Sequence, residues 1–279
     1  VELFNEKFFT NVTYTITVGA GGAGGNPGTG TKGLNSSITH SQNSLYVAFG
    51  GGTGFYSAAS LITSPNYTPL WNGGSGGGAG PNDINIAYEI GHPYGFLNNQ
   101  GNRGGQSAGS GGDYGGGGGA GSNGVGGNPG QSMAGGSGVL SSILSYYFSG
   151  GGGGVASLTA RPNGGAGGGG GGTSQYSVTG YQGLGDTNGI NPGGNGTYVS
   201  RGEGVGGSGG TNTGGGGGSA SGSNRAGGSG GSGIVAIQIS NANVALLSSV
   251  STTGSPTLTT PTGYNVYRFN GSGSITFNS

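Results

Sequence analysis

Two stretches of the chain carry the apolar patterning of β-strands. In FFTNVTYTITV over residues 8–18, threonines separate Val12, Tyr14, Ile16 and Val18 with period two. Successive side chains of a strand point to opposite faces, so this alternation predicts a half-buried β-strand. The second stretch, IVAIQI over residues 234–239, predicts a strand through its β-branched content. A third run, YNVYRFNGSGSITF over residues 264–277, predicts further strands joined by a short turn. Strand 8–18 runs directly into GAGGAGG at 19–25, and GGSGGSG at 227–233 runs directly into strand 234–239. The two strands therefore bracket a glycine region and are expected to pair, or to lie in one small sheet that closes it. No apolar stripe of period 3.6 has useful length, so helix is expected to be close to absent.

Between the brackets the alternation is of composition rather than of residue type. Glycine-dense segments lie near 19–30, 50–54, 73–80, 101–138, 150–154, 163–173, 183–196 and 202–233. Aromatic and polar stretches separate them near 31–49, 55–72, 81–100, 139–149, 155–162 and 174–182, and are expected to be loops. No fixed repeat length underlies this. Glycine is 80 of 279 residues, and it loses more conformational entropy on folding than any other residue. An ordinary hydrophobic core cannot order such segments. Backbone packing can: a polyproline II chain has three residues per turn, rises ~3.1 Å per residue and makes no internal hydrogen bonds. Glycine segments in that conformation can approach closely and satisfy each other's N–H and C=O groups. The expected fold class is thus mostly irregular and β, a bundle of polyglycine II helices bracketed by short strands. Collagen is excluded, because glycine has no strict third-position repeat and proline numbers only 10. A flexible Gly/Ser linker is the simpler reading of the composition.

Charge narrows the function classes. Seven Lys+Arg balance seven Asp+Glu, charged residues are 5% and apolar residues 29%. Disordered chains are typically charged as well as apolar-poor, which sets this chain apart from them. No basic stripe is present to displace counterions from a nucleic acid. No run of 18 apolar residues predicts a transmembrane helix, and without cysteine there is no disulfide or thiolate metal site. A start at Val1 rather than methionine is what a processed or partial chain would show. Composition turns to Ser, Thr and Asn after Ile239, which places a boundary near 240. Residues 1–240 form the glycine-rich domain with its opening and closing strands, and 241–279 a small β-rich C-terminal segment.

Catalytic and cofactor chemistry finds little footing. GxGxxG recurs by chance in such a sequence, and no GxxxxGK[ST] follows a strand and opens a helix. His40 and His92 are far apart and lack metal-site spacing. Asp83 and Glu89 share one segment, but nothing marks a catalytic groove around them. No cofactor, metal or catalytic residue is expected. Sequons at Asn11, Asn35, Asn66, Asn195 and Asn270 are what this much Asn, Ser and Thr yields by chance. The residues suited to function are the aromatics, which supply binding area at low entropic cost when held on rigid loops. The candidates are Tyr67 and Trp71 in ITSPNYTPLWNGG, Tyr94 and Phe96 in EIGHPYGFLNN, and Tyr146, Tyr147 and Phe148 in SSILSYYFSG. Burial of these rings against each other is the competing reading.

The flanks VTYTITVGAGGAGG and GSGGSGIVAI resemble the two ends of the glycine-rich domain of phage and other viral structural proteins. The middle, glycine motifs between aromatic variable segments, is similar to the tail-fibre tip adhesins of T-even-type phages. The resemblance covers roughly residues 9–239, and the fibre-capping domain of those adhesins has no counterpart in this sequence. It implies a polyglycine II sandwich displaying loops that bind a host surface. The expected function is accordingly a virion protein, extracellular, that binds a host-cell receptor, a glycan or an outer-membrane protein. Its other partners would be virion or tail-fibre proteins, or copies of itself. The alternative is a purely structural subunit of a virion or filament, with strand pairing through residues 264–277 as its seam. Ice binding is a third class, disfavoured because it needs a flat, regular face.

Overall fold

The computed structural model describes residues 2, 6–25, 30–40, 45–52, 100–105, 115–126, 133–156, 161–174, 181–200, 203–222 and 225–279. The chain is mostly strand and irregular backbone. Among the described residues helix is limited to α1 (Asn241–Val244), one turn capped by the Ser240 hydroxyl, which accepts from Asn243 N at 3.3 Å.

Strands form within the stretches predicted to hold them. In β1 (Thr13–Thr17) Tyr14 and Ile16 are buried between exposed threonines. β1 is central in a five-stranded antiparallel sheet with β2 (Ser36–Thr39), β3 (Leu45–Ala48), β11 (Ser249–Thr253) and β14 (Gly273–Asn278), in the order β11-β14-β1-β2-β3. Short ribbons pair β6 (Val155–Ala156) with β7 (Thr173–Ser174) and β8 (Thr197–Ser200) with β9 (Glu203–Val205). β10 (Val235–Ser240) belongs to a second sheet with β12 (Thr257–Thr259) and β13 (Tyr264–Phe269), in the order β10-β13-β12. One apolar core joins the two sheets. Tyr14, Ile16, Ile275 and Phe277 enter it from the first, and Val235, Ile237, Tyr267 and Phe269 from the second. Phe8 packs edge-on against Tyr14 and Phe277, with centroids 4.9 and 5.4 Å away.

Three expectations change here. The bracketing strands share a core without pairing, because the C-terminal segment supplies the partner of each: β14 lies beside β1, and β13 beside β10. Residues 264–277 are no intermolecular seam, since β13 and β14 each have both edges occupied within the chain. The stretch 31–49 is not a loop. Its SSIT and LYVA runs pair as β2 and β3, and the outer edge of β3 is covered by Gln100, whose side chain accepts from Phe49 N at 2.8 Å and donates to Val47 O at 2.7 Å.

Tyr46 on β3 donates its hydroxyl to Glu6 Oε2 at 2.7 Å. That hydrogen bond, then partial burial and the negative charge of Glu6, push the phenol up to about 12. The ordinary value is ~10, so the pair's contribution to stability is complete below pH ~10 and is lost as pH rises toward 12. Glu6→Gln is expected to return the Tyr46 titration toward the ordinary value, read as phenolate absorbance in an alkaline titration.

Between the sheets' strands, the glycine segments are tied backbone to backbone in steps of three residues. Gly233, Gly230 and Gly227 donate to Gly19, Gly22 and Gly25, while Leu34 and Thr31 donate to Ala20 and Ala23 on another side. In the interior, Gly150 and Gly153 donate to Gly167 and Gly170. Gly216 and Ser219 donate in turn to Gly150 and Gly153, and Gly228 and Gly231 donate to Gly218 and Gly215. One segment thus bonds several neighbours, each through every third residue. The separations leave no room for side chains: a Cβ on Gly152, Gly153 or Gly172 would overlap the carbonyl oxygen of Gly217, Pro162 or Gly154.

Candidate functional site

Two interior glycine segments run outward into a short hairpin. Segment 133–138 leads into β4 (Val139–Leu140), and β5 (Tyr147–Phe148) leads back into 149–154, with Val139 opposite Phe148 and Leu140 opposite Tyr147. Alternation puts the Val139/Phe148 and Leu140/Tyr147 pairs on opposite faces of the hairpin. Its tip is an irregular turn. Ser141 N donates to Tyr146 O and Ser145 N to Ser141 O, both at 2.9 Å, with Ser145 at φ 58°. The Ser141 hydroxyl accepts from Ile143 N and Leu144 N at 3.2 Å each. The Glu2 carboxylate completes the turn, accepting from Ser142 N at 3.1 Å and the Ser142 hydroxyl at 2.9 Å.

The base of the hairpin is held by the glycine region. Gly138 N donates to Ala166 O at 2.6 Å, Tyr147 N to Asn188 O at 3.1 Å and Ser149 N to Thr213 O at 2.7 Å. The loop that receives Tyr147 is itself organised by one carboxylate. Asp186 Oδ2 accepts from Gly167 N (2.8 Å), Gly168 N (3.0 Å), Asn188 N (2.9 Å) and Gly189 N (3.2 Å), while Oδ1 accepts from Asn188 Nδ2 at 2.7 Å. Gly167 and Gly168 turn their amides toward it through positive φ values of 105° and 80°, a conformation glycine adopts without penalty.

On this base stands a cluster of exposed apolar side chains: Val139 (50% exposed), Leu140 (51%), Tyr146 (44%) and Tyr147 (36%). Phe148 is half-buried. Of the sequence candidates, Tyr146 and Tyr147 are thus displayed and Phe148 is partly packed away. Tyr67, Trp71, Tyr94 and Phe96 lie outside the described residues, as do Asp83, Glu89 and His92. His40 lies edge-on to Phe9 and Tyr14, at centroid distances of 5.9 and 5.1 Å.

Val139 and Leu140, the cross-strand partners of the aromatic run, and Asp186 join the site without having been sequence candidates. Two β-favouring pairs, VL and YF, flanking a serine-rich turn are the available signal for the hairpin. A recurring Asn-Gly device also ties the glycine region together. Asn123, Asn163 and Asn195 each accept through Oδ1 from a backbone N–H on an adjoining segment, Arg103 at 3.1 Å, Leu184 at 2.9 Å and Gly185 at 2.9 Å. The glycine that follows then donates to a carbonyl of that segment, Arg103 O, Leu184 O and Gly183 O respectively, each at 2.9 Å. The side chain thus acts as a further acceptor for backbone N–H groups of the glycine region.

The family model described as a glycine-rich domain matches residues 3–187. The chain belongs to that glycine-rich domain family. The match takes in β1, the glycine segments as far as the Asp186 loop, and the whole β4–β5 hairpin. No curated protein and no solved structure matches the chain. Among the described residues of this glycine-rich domain, no helix is long and apolar enough to cross a membrane.

Proposed function

We propose that this glycine-rich domain is a virion surface protein of the tail-fibre kind, which attaches to a host-cell receptor through aromatic loops on a rigid polyglycine II scaffold. The three-residue period of the hydrogen bonds supports the scaffold, because a threefold helix returns the same face to a neighbour at every third residue. The observation that carries the binding role is the exposed cluster of Val139, Leu140, Tyr146 and Tyr147 on a hairpin fastened at its base to backbone carbonyls of Ala166, Asn188 and Thr213 within the glycine region. A fixed loop loses little further entropy on contact, so its aromatic area converts efficiently to affinity. Several copies on one particle would multiply weak contacts into avidity. Glycan or outer-membrane protein are the receptor classes such a surface serves, with tyrosine hydroxyls and turn serines as polar partners. The role is binding without catalysis, outside the cell on the particle.

The test is binding of labelled protein to a panel of bacterial strains. The Tyr146→Ala/Tyr147→Ala variant is expected to lose at least ~10-fold in affinity on strains that bind the parent, as truncation of exposed aromatic anchors does, with an unchanged melting temperature. Cell binding by neither protein, together with spontaneous polymerisation, would sink the receptor role in favour of a structural subunit.

A further inference from the structure

Five Asn-Gly pairs fall within the described residues, and four are locked. At Asn123, Asn163 and Asn195 the side chain accepts a backbone hydrogen bond, and the next residue, Gly124, Gly164 or Gly196, donates its N–H to a carbonyl. At the fourth, Asn188 Nδ2 and Gly189 N both donate to Asp186. The fifth pair, Asn270-Gly271, is different. It forms the exposed corner between β13 in one sheet and β14 in the other. Among the described residues neither the Asn270 side chain nor the Gly271 N–H makes a hydrogen bond, and the Cβ position of Gly271 faces open space.

We infer that Asn270 is a site of spontaneous covalent modification, converting to aspartate and isoaspartate while the other four asparagines stay amides. The Gly271 nitrogen, having given up its proton to solvent base, attacks Asn270 Cγ. A C–N bond forms, the Cγ–Nδ2 bond breaks, and the amide nitrogen leaves as ammonia, closing a five-membered succinimide. Water then opens the ring at either carbonyl. Opening at one restores the normal backbone with a carboxylate, and opening at the other routes the backbone through the side chain and lengthens it by one methylene. The attack needs a free N–H, a free side chain and room for the chain to fold onto itself, and Asn270-Gly271 combines all three. The locked pairs withhold both reacting groups until the glycine region opens, and opening of such a region is rare beside the motions of an exposed corner. Each conversion adds one negative charge to a chain whose formal net charge is +0.

The purified protein is held in mildly alkaline buffer and sampled over time by peptide mass and by enzymatic methylation of isoaspartate. A parallel sample is held unfolded in urea. In the folded protein Asn270 is expected to convert more than about tenfold faster than Asn123, Asn163, Asn188 or Asn195, a ratio set by local against wider opening, and in urea all five should convert at similar rates. Asn270→Gln should remove the share of the acidic species on isoelectric focusing that peptide mass assigns to residue 270. Gly271→Ala, whose methyl the open corner accepts, should slow its appearance without altering the melting temperature. Conversion of all five at one rate in the folded protein, or of a locked asparagine ahead of Asn270, would overturn the assignment.

Discussion

Gly152→Ala is expected to lower the melting temperature by roughly 6–12 °C, the equivalent of about 3 kcal/mol of overpacking in a domain of this size. The added Cβ overlaps the carbonyl oxygen of Gly217. In an apolar core a neighbouring side chain could change rotamer to make room. Here the neighbour is backbone, and moving it stretches the Gly216 N to Gly150 O and Gly228 N to Gly218 O bonds, each tied to further segments. The strain therefore spreads instead of relaxing. Gly51→Ala is the matched control: among the described residues its Cβ position meets nothing within 4 Å. There the substitution should be neutral or stabilising by up to about 1 kcal/mol, through the reduced entropy of the unfolded chain. Thermal unfolding of both variants reads the contrast. Equal melting temperatures would mean that the segments are not packed at the observed separations.

Asp186→Ala is expected to cost about 2–3 kcal/mol, the scale of leaving hydrogen-bonding groups without partners in a partly buried site. Four backbone donors, from Gly167, Gly168, Asn188 and Gly189, lose their common acceptor together. Solvent can reach the exposed Asn188 but serves the inner amides poorly, so the loss is larger than one surface hydrogen bond. Its effect should reach the exposed hairpin, because Asn188 O receives the Tyr147 N–H. Hydrogen exchange at Tyr147 should accelerate in Asp186→Ala, while the amides of Tyr14 and Ile16 in β1 keep their protection. Asp186→Asn keeps an acceptor oxygen and should cost less than half as much. Should Asp186→Ala leave Tyr147 exchange unchanged, the carboxylate would not be what holds the base of the hairpin.

Along the chain, legibility followed side-chain content. The stretch 8–18 reads as a strand because apolar residues alternate with threonine, and 234–239 because it is β-branched; the strands form at Thr13–Thr17 and Val235–Ser240. Tyr146 and Tyr147 read as display candidates because aromatics beside glycine segments have no local core to enter, and both are exposed. Phe148 has the same local sequence and is half-buried, a difference that pairing with Val139 accompanies and composition does not show. The Asp186 loop gave no sequence signal. One aspartate among scattered charges looks like any solvated carboxylate until Gly167 and Gly168, nearly twenty positions back, turn their amides toward it.

The sequence by itself determined the class of the molecule: strand where apolar and polar residues alternate, and close backbone packing where side chains are nearly absent, since only glycine allows that approach. Tertiary structure decided the partnerships. β1 and β10 had to find β14 and β13 across the whole length of the chain, and the segments 19–25, 150–154 and 227–233 had to choose among neighbours of nearly identical composition. Glycine carries no side chain to mark a partner. The choice therefore falls to the few residues that do, the Asn of the Asn-Gly clamps, the Asp186 carboxylate and the eight-residue core that joins the two sheets.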